Sequence, residues 1–352
     1  MIWFLIVTFS FYAILITSLT IGFHKVDEFR GKSNKEITSF SVVIPFRNEA
    51  ENLPALLDSI SELNYTNDLV EFIFVDDDSS DNSLEIINAS VKACQVERSR
   101  NLEPLDCAQG DIFKIIKNKR TSNSPKKDAI TTAISIAKHN WIVTTDADCI
   151  VRKNWLSILD RFIQEKKPKM VVAPVDYKVE NNFLEQFQLL DFMSMQGTTI
   201  GGFGIHFPFL CNGANFAYKK DEFVKLNGFE GNNNIASGDD IFLFEKFIKA
   251  DKTSVKYLKS KEAIVTTFPV KSWTELINQR TRWAAKTGNI GSLKVKLIGL
   301  LVLLVNFLVV YYLVIESVSF LFIPFVLKMS IDLFLFLPTV KFFNQKSSFF
   351  KW

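Results

Sequence analysis

Four short apolar runs alternate with segments of helical period, and that alternation constrains the fold more than any other feature. The runs are Phe40-Ser-Val-Val-Ile-Pro45, Val70-Glu-Phe-Ile-Phe-Val75, Ile112 to Lys117, and Trp141-Ile-Val-Thr144. Between the first two, Leu53, Leu56, Leu57 and Ile60 fall at i, i+3, i+4 and i+7 within residues 50–62, the spacing of one helix face. A second helix starts near Ser83, and a third runs from Lys126-Lys127 through Ala137. Strand–helix alternation of this kind predicts right-handed βαβ units and a mostly parallel sheet. Such sheets bind ligands at the carboxyl ends of their strands.

Those ends are where the polar residues sit. The first run leads into Pro45-Phe-Arg47-Asn-Glu49, the second into Asp76-Asp77-Asp78-Ser-Ser-Asp81, and the fourth into Asp146-Ala-Asp148. In an extended chain, side chains at i and i+2 lie on one face. Two carboxylates that close repel each other unless a cation sits between them. Mg²⁺ or Mn²⁺ suits such oxygen ligands, with phosphate and water filling the other positions. A polar strand-end turn is the plain alternative for Asp146 and Asp148 alone. Convergence of the three polar ends on one crevice carries the argument for a metal–diphosphate site.

The second half is less regular. Lys169 to Pro174 reads as a strand, and 182–200 as an amphipathic helix with Phe183, Phe187, Leu190 and Met193 on one face, broken by Gly201-Gly202-Phe203-Gly204. Cys211 to Tyr218 reads as a strand with a tight approach at Gly213. Ser237-Gly238-Asp239-Asp240 opens a helix; on the residues alone its two acids read as caps and dipole partners before they read as catalysts. A helix from Trp273 to Trp283 ends in Gln279-Arg280-Thr281-Arg282-Trp283. That end fits either a basic face at a membrane surface or a clamp on phosphate oxygens with Trp283 as a stacking plate.

Residues Met1 to Phe23 contain no charged side chain and would span about 34 Å as a helix, enough for a bilayer core. No basic start marks them as a secretory signal, so they read as a retained anchor. Lys25, Arg30, Lys32 and Lys35 follow, which places this flank in the cytoplasm. Leu297–Ile315 is a second charge-free run, and a third stretch after Glu316 extends to Val340, interrupted by Pro324, Lys328 and Asp332. Lys328 and Asp332 are i, i+4 partners able to neutralise each other in a bilayer. Lys341, Lys346 and Lys351 return the tail to the cytoplasm. The expected organisation is an anchor at 1–23, a catalytic domain at 38–290, and transmembrane or interfacial helices at 296–341. This describes a multi-pass protein of the inner or plasma membrane, with its catalytic domain cytoplasmic. The 48% hydrophobic content and 34 phenylalanines agree with a lipid environment. A net charge of only +3 argues against a nucleic-acid partner. Cys94, Cys107, Cys149 and Cys211 lack zinc or disulfide-framework spacing and fit a reducing compartment.

Taken in order, these pieces resemble membrane-bound family 2 glycosyltransferases of the cellulose-synthase-like and hyaluronan-synthase-like kind. The matching elements are Val43-Ile-Pro-Phe-Arg-Asn-Glu49, Val75-Asp-Asp-Asp-Ser-Ser-Asp81, Lys126-Lys127 with Ala129-Ile130, Asp146-Ala-Asp148, Gly213-Ala214-Asn215, Gly238-Asp239-Asp240 and Gln279-Arg-Thr-Arg-Trp283. The resemblance covers about residues 38–290. It implies a GT-A fold, which is α/β with a mostly parallel, Rossmann-like sheet, flanked here by transmembrane helices. It also implies a nucleotide-sugar donor, usually UDP-linked, a divalent metal (Mg²⁺ or Mn²⁺), and inversion at the anomeric carbon.

Carried over by position, Glu49, Asp76 and Asp77 would contact uracil and ribose, with Pro45, Arg47 and Asp78 beside them. Lys126 or Lys127 would lie near the donor, and Asp146 and Asp148 would bind donor phosphate and metal. Asp240 would be the general base with Asp239 next to it, which reverses the capping preference. Gly213, Ala214, Asn215, Gln279, Arg280, Arg282 and Trp283 would face acceptor and diphosphate. Two positions depart from the family: Asp78 and Pro125 stand where it usually has glycine. About three spans are fewer than in synthases that thread a polymer through their own pore. That favours single transfer to a lipid-linked or glycan acceptor, although the Gln-Arg-x-Arg-Trp element is common among processive polysaccharide synthases. A membrane nucleotidyltransferase using the same metal–phosphate crevice is the third reading, and a catalytically silent membrane scaffold a fourth.

Overall fold

The computed structural model describes residues 2–31, 35–101, 112–180, 182–232, 235, 237–288, 291–315 and 322–345. Met1, Lys32, Cys107, Glu316, Lys346 and Lys351, named above, lie outside the described residues, as does the side chain of Cys94. In chain order, α1 (Ile2–Lys25) precedes β1 (Phe40–Phe46), α2 (Leu53–Ser61), β2 (Val70–Asp76), α3 (Ser83–Asn101) and β3 (Phe113–Lys117). Then come α4 (Pro125–Ile136), β4 (Trp141–Thr144), α5 (Trp155–Lys166), β5 (Met170–Val172), β6 (Val175–Tyr177) and α6 (Phe183–Gly204). Next are β7 (Phe216–Lys219), α7 (Lys220–Lys225), α8 (Asp239–Asp251), β8 (Val255–Tyr257) and β9 (Val265–Thr267). The chain ends with α9 (Trp273–Gly288), α10 (Leu293–Ile315) and α11 (Ile323–Phe343).

Two compact units result. One comprises Glu28–Lys178 and Cys211–Phe268; the other comprises Met1–Asp27, Val179–Leu210 and Pro269–Trp352. The first is built on a seven-stranded sheet of order β3-β2-β1-β4-β7-β5-β8, with β6 and β9 forming a separate pair. Strands β3, β2, β1 and β4 run parallel, as the alternation predicts, while β7 is antiparallel to both β4 and β5. Val42, Val43 and Ile44 of β1 and Ile73, Phe74 and Val75 of β2 are all buried, as expected of central parallel strands covered on both faces.

The strand order reverses beside β1: the chain moves outward through β2 and β3, then returns to lay β4 on the other side. In the register, Phe46 pairs with Asp76 and Val43 with Thr144. The polar segments after β1, β2 and β4 therefore leave the sheet along one edge, at a topological switch point. Asp78 has φ +67°, a left-handed conformation that glycine adopts freely and Asp tolerates. The departure at this position thus keeps the turn. The strand expected from Cys211 begins only at Phe216, because Gly213–Asn215 form a 3₁₀ turn capped by the Asn212 side chain.

The second unit is helical. Three of its helices, spanning Trp3–Lys25, Leu293–Val314 and Ile323–Phe343, are long and apolar enough to cross a membrane by length and composition. Here one expectation fails: Gly201-Gly202-Phe203-Gly204 does not break α6, which continues through Gly204. These glycines instead admit a neighbouring backbone. A Cβ on Gly201 would stand 2.4 Å from the Leu19 carbonyl oxygen, and one on Gly204 only 1.8 Å from that of Gly22. Small residues that let two helix backbones meet are a membrane packing device.

The expected apolar face holds only in part, for Met193 is buried and Leu190 half-buried. Phe183 and Phe187 are exposed against the Trp273 ring, while Gln188 is buried and exchanges two hydrogen bonds with the Val270 backbone. Lys328 and Asp332 do pair, at 2.5 Å, and the Tyr12 hydroxyl donates to Asp332 at 2.6 Å, joining α11 to α1.

Candidate active site

The turn after β4 is rigidly held. Thr145 N–H donates to the Val43 carbonyl, Cys149 N–H to the Asp146 carbonyl, and Ile150 exchanges both backbone hydrogen bonds with Thr266. This presents Asp146 and Asp148 together, with the Thr267 hydroxyl donating to Asp148 Oδ2 at 3.0 Å. Burial pushes the Asp148 carboxyl pKa up, and the Asp146 charge adds to the rise. Burial likewise raises Glu49, partly offset by the Asn52 amide and reinforced by the charges of Asp148, Asp146 and Asp81. Carboxylates that penalise one another in this way fit a divalent cation, since a hard ion would relieve the repulsion and accept the oxygens.

A cation of the chain's own already stands there. Pro125 occupies the first turn of α4, where its fixed φ suits helix initiation, and Lys126 follows. Lys126 Nζ lies 2.6 Å from Asp146 Oδ1 and 3.4 Å from Asp239 Oδ2. Burial alone would lower its pKa, yet the charges of Asp146, Asp239 and Asp240 hold it well above the usual lysine value. Asp239 and Asp240 open α8 behind Gly238, which takes φ +87° and is the N-cap without any side-chain cap. The acids are therefore not serving as N-caps, although the helix N-terminus favours their charge. Asp240 Oδ1 accepts from the Ile241 N–H at 2.7 Å. Gly213 sits against the pair: a Cβ there would lie 3.2 Å from Asp240 Cβ and 3.3 Å from Asp239 Oδ2.

The ends of β1 and β2 are laced together. Asn48 N–H donates to Ser79 Oγ, Asn48 Oδ1 accepts from Ser80 N–H, Glu49 N–H donates to Ser83 Oγ, and Ala50 N–H donates to Asp81 Oδ2. Pro45 is half-buried in β1 and Arg47 is exposed. Asp76 Oδ1 accepts from Ser79 N–H at 2.9 Å. Asp77 is gripped by Arg120, through Nε at 2.7 Å and Nη2 at 2.9 Å, and by Asn118 Nδ2 at 2.6 Å. Sequence reasoning missed Arg120 and Asn118. Their signal was positional: they follow β3 directly, on the same sheet edge as the other polar ends.

Other expected residues have different duties. Lys127 donates to the Asn232 and Ile235 carbonyls, whereas the Lys126 ammonium is placed against Asp146 and Asp239. Asn215 is buried; its Oδ1 accepts from Trp155 Nε1, and its Nδ2 donates to the Pro174 and Ala263 carbonyls. It holds the scaffold, as does buried Ala214, whose N–H donates to Asn212 Oδ1. Gln279, Arg280, Arg282 and Trp283 belong to the helical unit. There Arg280 pairs with Asp191 at 2.7 Å, donates from Nη1 to Gln279 Oε1 at 2.8 Å, and stacks over Trp283 at 4.1 Å. Arg282 is exposed.

Residues 41–223, just over half of the chain, match the family model described as Glycosyl transferase family 2. The chain belongs to glycosyl transferase family 2. Among curated relatives of this family 2 chain, the glycosyltransferase GlyG of Streptococcus pneumoniae serotype 4 is 33% identical over 133 residues, covering 38% of each chain. The undecaprenyl-phosphate 4-deoxy-4-formamido-L-arabinose transferase of Yersinia pestis is 33% identical over 116 residues, covering 33% of this chain and 30% of that one. The chain thus spans about a third of the length of these relatives. Its fold is shared with the mannosyltransferase PcManGT of Pyrobaculum calidifontis, solved in complex with GDP-Man and Mn²⁺. That likeness has a TM-score of 0.58 at 13% identity and covers 98% of this chain and 96% of the other. The GT-A architecture expected of family 2 is present.

Proposed function

We propose that this family 2 member transfers a sugar, with inversion, from a UDP-linked donor to a lipid-linked or glycan acceptor at the cytoplasmic face of a membrane, with Mg²⁺ or Mn²⁺ bound. The observation that supports this most is the gathering of Asp146, Asp148, Asp239 and Asp240 about Lys126, with Glu49 facing Asp146 and Asp148, at the switch point of the sheet. Three helices of spanning length support the membrane setting. A relative named for an undecaprenyl-phosphate acceptor supports a lipid-linked one.

Asp146 and Asp148 would hold the metal, and when bound it supplies neutralising charge to the departing nucleoside diphosphate. The remaining roles fall to the chain's own groups. Glu49, Asp76 and Asp77 bind and orient the nucleoside. Lys126 offers an ammonium beside Asp146, where phosphate oxygens are to be received. Asp240 takes the proton from the acceptor hydroxyl as that oxygen bonds to the anomeric carbon and the bond from carbon to phosphate oxygen breaks on the opposite face. One base and one leaving group suffice for inversion in a single displacement. An acceptor that reacts through an ionised phosphate would need no such base, so dependence on Asp240 also reports acceptor chemistry.

Membranes carrying the full chain, incubated with labelled UDP- and GDP-sugars, test the reading. UDP release with one discrete lipid-soluble product is expected. Pyrophosphate release would make the chain a nucleotidyltransferase, and a labelled ladder would make it a processive synthase; either outcome overturns the proposal.

A further inference from the structure

We propose that Lys127 is a positioning residue for Asp240, an inference that rests on Asp240 acting as the base. Lys127 is only 1% exposed. Its ammonium donates to the backbone carbonyls of Asn232 at 2.8 Å and Ile235 at 2.9 Å, and lies 5.0 Å from the centre of the Phe242 ring. A lysine buried this deeply is unfavourable unless hydrogen bonds compensate for its lost hydration. The two carbonyls and the ring belong to the approach to α8 and to its first turn.

The path from Lys127 to the base is short. Phe242 is buried and packs on Gly238 so closely that a Cβ there would stand 2.7 Å from Phe242 Cε2. The Phe242 N–H also donates to the Gly238 carbonyl. Gly238, in its left-handed conformation, is the residue from which Asp239 and Asp240 emerge. Lys127 thus grips the chain on both sides of that turn, through two carbonyls before it and one ring after it. Its neighbour Lys126 touches Asp146 and Asp239 directly. The first turn of α4 therefore fixes the donor-side carboxylate and the base side together. Displacements of about 1 Å at a reacting group are enough to cost large factors in rate.

A control grips the same loop from α8. Lys246 of α8 donates to the carbonyls of Leu226, Asn227, Gly228 and Glu230, at 3.2, 3.3, 2.7 and 2.9 Å. It holds the start of the segment between α7 and α8, whereas Lys127 holds the end that leads into Gly238.

The experiment uses the full chain in detergent and compares Lys127→Met, Lys246→Met, Asp240→Asn and the Lys127→Met/Asp240→Asn double variant. Lys127→Met is expected to lower kcat about tenfold or more while donor KM and UDP affinity stay within about twofold. Lys246→Met is expected to lower Tm comparably but to keep kcat within about twofold. In the double variant, the Lys127 loss should largely disappear, because a displaced base and an absent base cannot both be lost. Should Lys127→Met not accumulate, Lys127→Arg enters the same cycle, with any kcat loss again expected to vanish beside Asp240→Asn. Unchanged kcat in the Lys127 variant, or a loss that multiplies with that of Asp240→Asn, would overturn the inference and leave the proposed function standing. A wild-type chain that binds UDP but transfers no sugar would instead overturn the proposed function.

Discussion

Two acid-rich regions on the same sheet edge meet opposite fates. Around β2 and β3 the buried carboxylates are met by donors. Asp77 receives Arg120 and Asn118. Asp81 is held below the ordinary carboxylate range, first by the Ser83 hydroxyl. Asp128 is buried, which would raise it, but the backbone and hydroxyl donors of Ser122 and Thr121 outweigh that and lower it. Around β4 and α8 the carboxylates gather about Lys126, and Asp148 and Glu49 are pushed up. A compensated cluster has no need of a further cation. A cluster with surplus negative charge stores unfavourable energy until a cationic ligand arrives, which is the electrostatic mark of a working site.

The largest effect that sharpens this contrast comes from neutralising one acid in each region. Asp240→Asn should lower turnover roughly 100-fold or more, since an amide cannot take the acceptor proton, while UDP binding is retained. Asp128→Asn should leave turnover nearly unchanged but lower stability by about 1 kcal/mol through weakened hydrogen bonds. Steady-state kinetics beside thermal unfolding reads both. Equal losses of turnover in the two variants would erase the distinction between the regions.

A smaller effect has opposite signs in the two regions. The folded pKa of Asp128 is lowered, so its stabilisation is present above the unfolded value and is lost as pH falls through the folded one. The folded pKa of Asp148 is raised, so stability instead declines as pH rises between the unfolded and folded values. Metal-free Asp148→Asn should therefore melt at a higher temperature than wild type at neutral pH, whereas Asp128→Asn melts lower. Scanning unfolding across pH 3 to 8 would show the two curves on opposite sides of the wild-type curve near neutrality and converging on it in acid; parallel curves would break the comparison.

Much of this was legible in the sequence because parallel βαβ architecture ties apolar runs to polar strand ends. The four strands, and the placing of Glu49, Asp76 and Asp146 along one sheet edge, followed from period and position alone. Adjacency did not separate Lys126 from Lys127, because the direction of each side chain depends on where α4 sits against a loop more than a hundred residues away. Arg120 was hidden for the same reason: its partner, Asp77, is local only in three dimensions. Gly201 and Gly204 misled because glycine signals both helix termination and close backbone approach, and only the presence of α1 decides between them. Asn215 lay inside a family motif, yet all its amide hydrogen bonds serve the scaffold. Motif membership alone does not place a side chain in the site.

The most direct test of the central claim is the thermal unfolding of the purified full chain with Mn²⁺ and UDP added separately and together. A ligand that binds only the folded state raises Tm by mass action, by about 2.7 kcal/mol of added stability at a hundredfold excess over Kd. A large joint shift is expected for wild type, a comparable shift for Asp128→Asn, and almost none for Asp148→Asn, despite that variant's higher starting Tm. An undiminished joint shift in Asp148→Asn, or no shift in wild type, would contradict the assignment of the β4 carboxylates as the metal–diphosphate site.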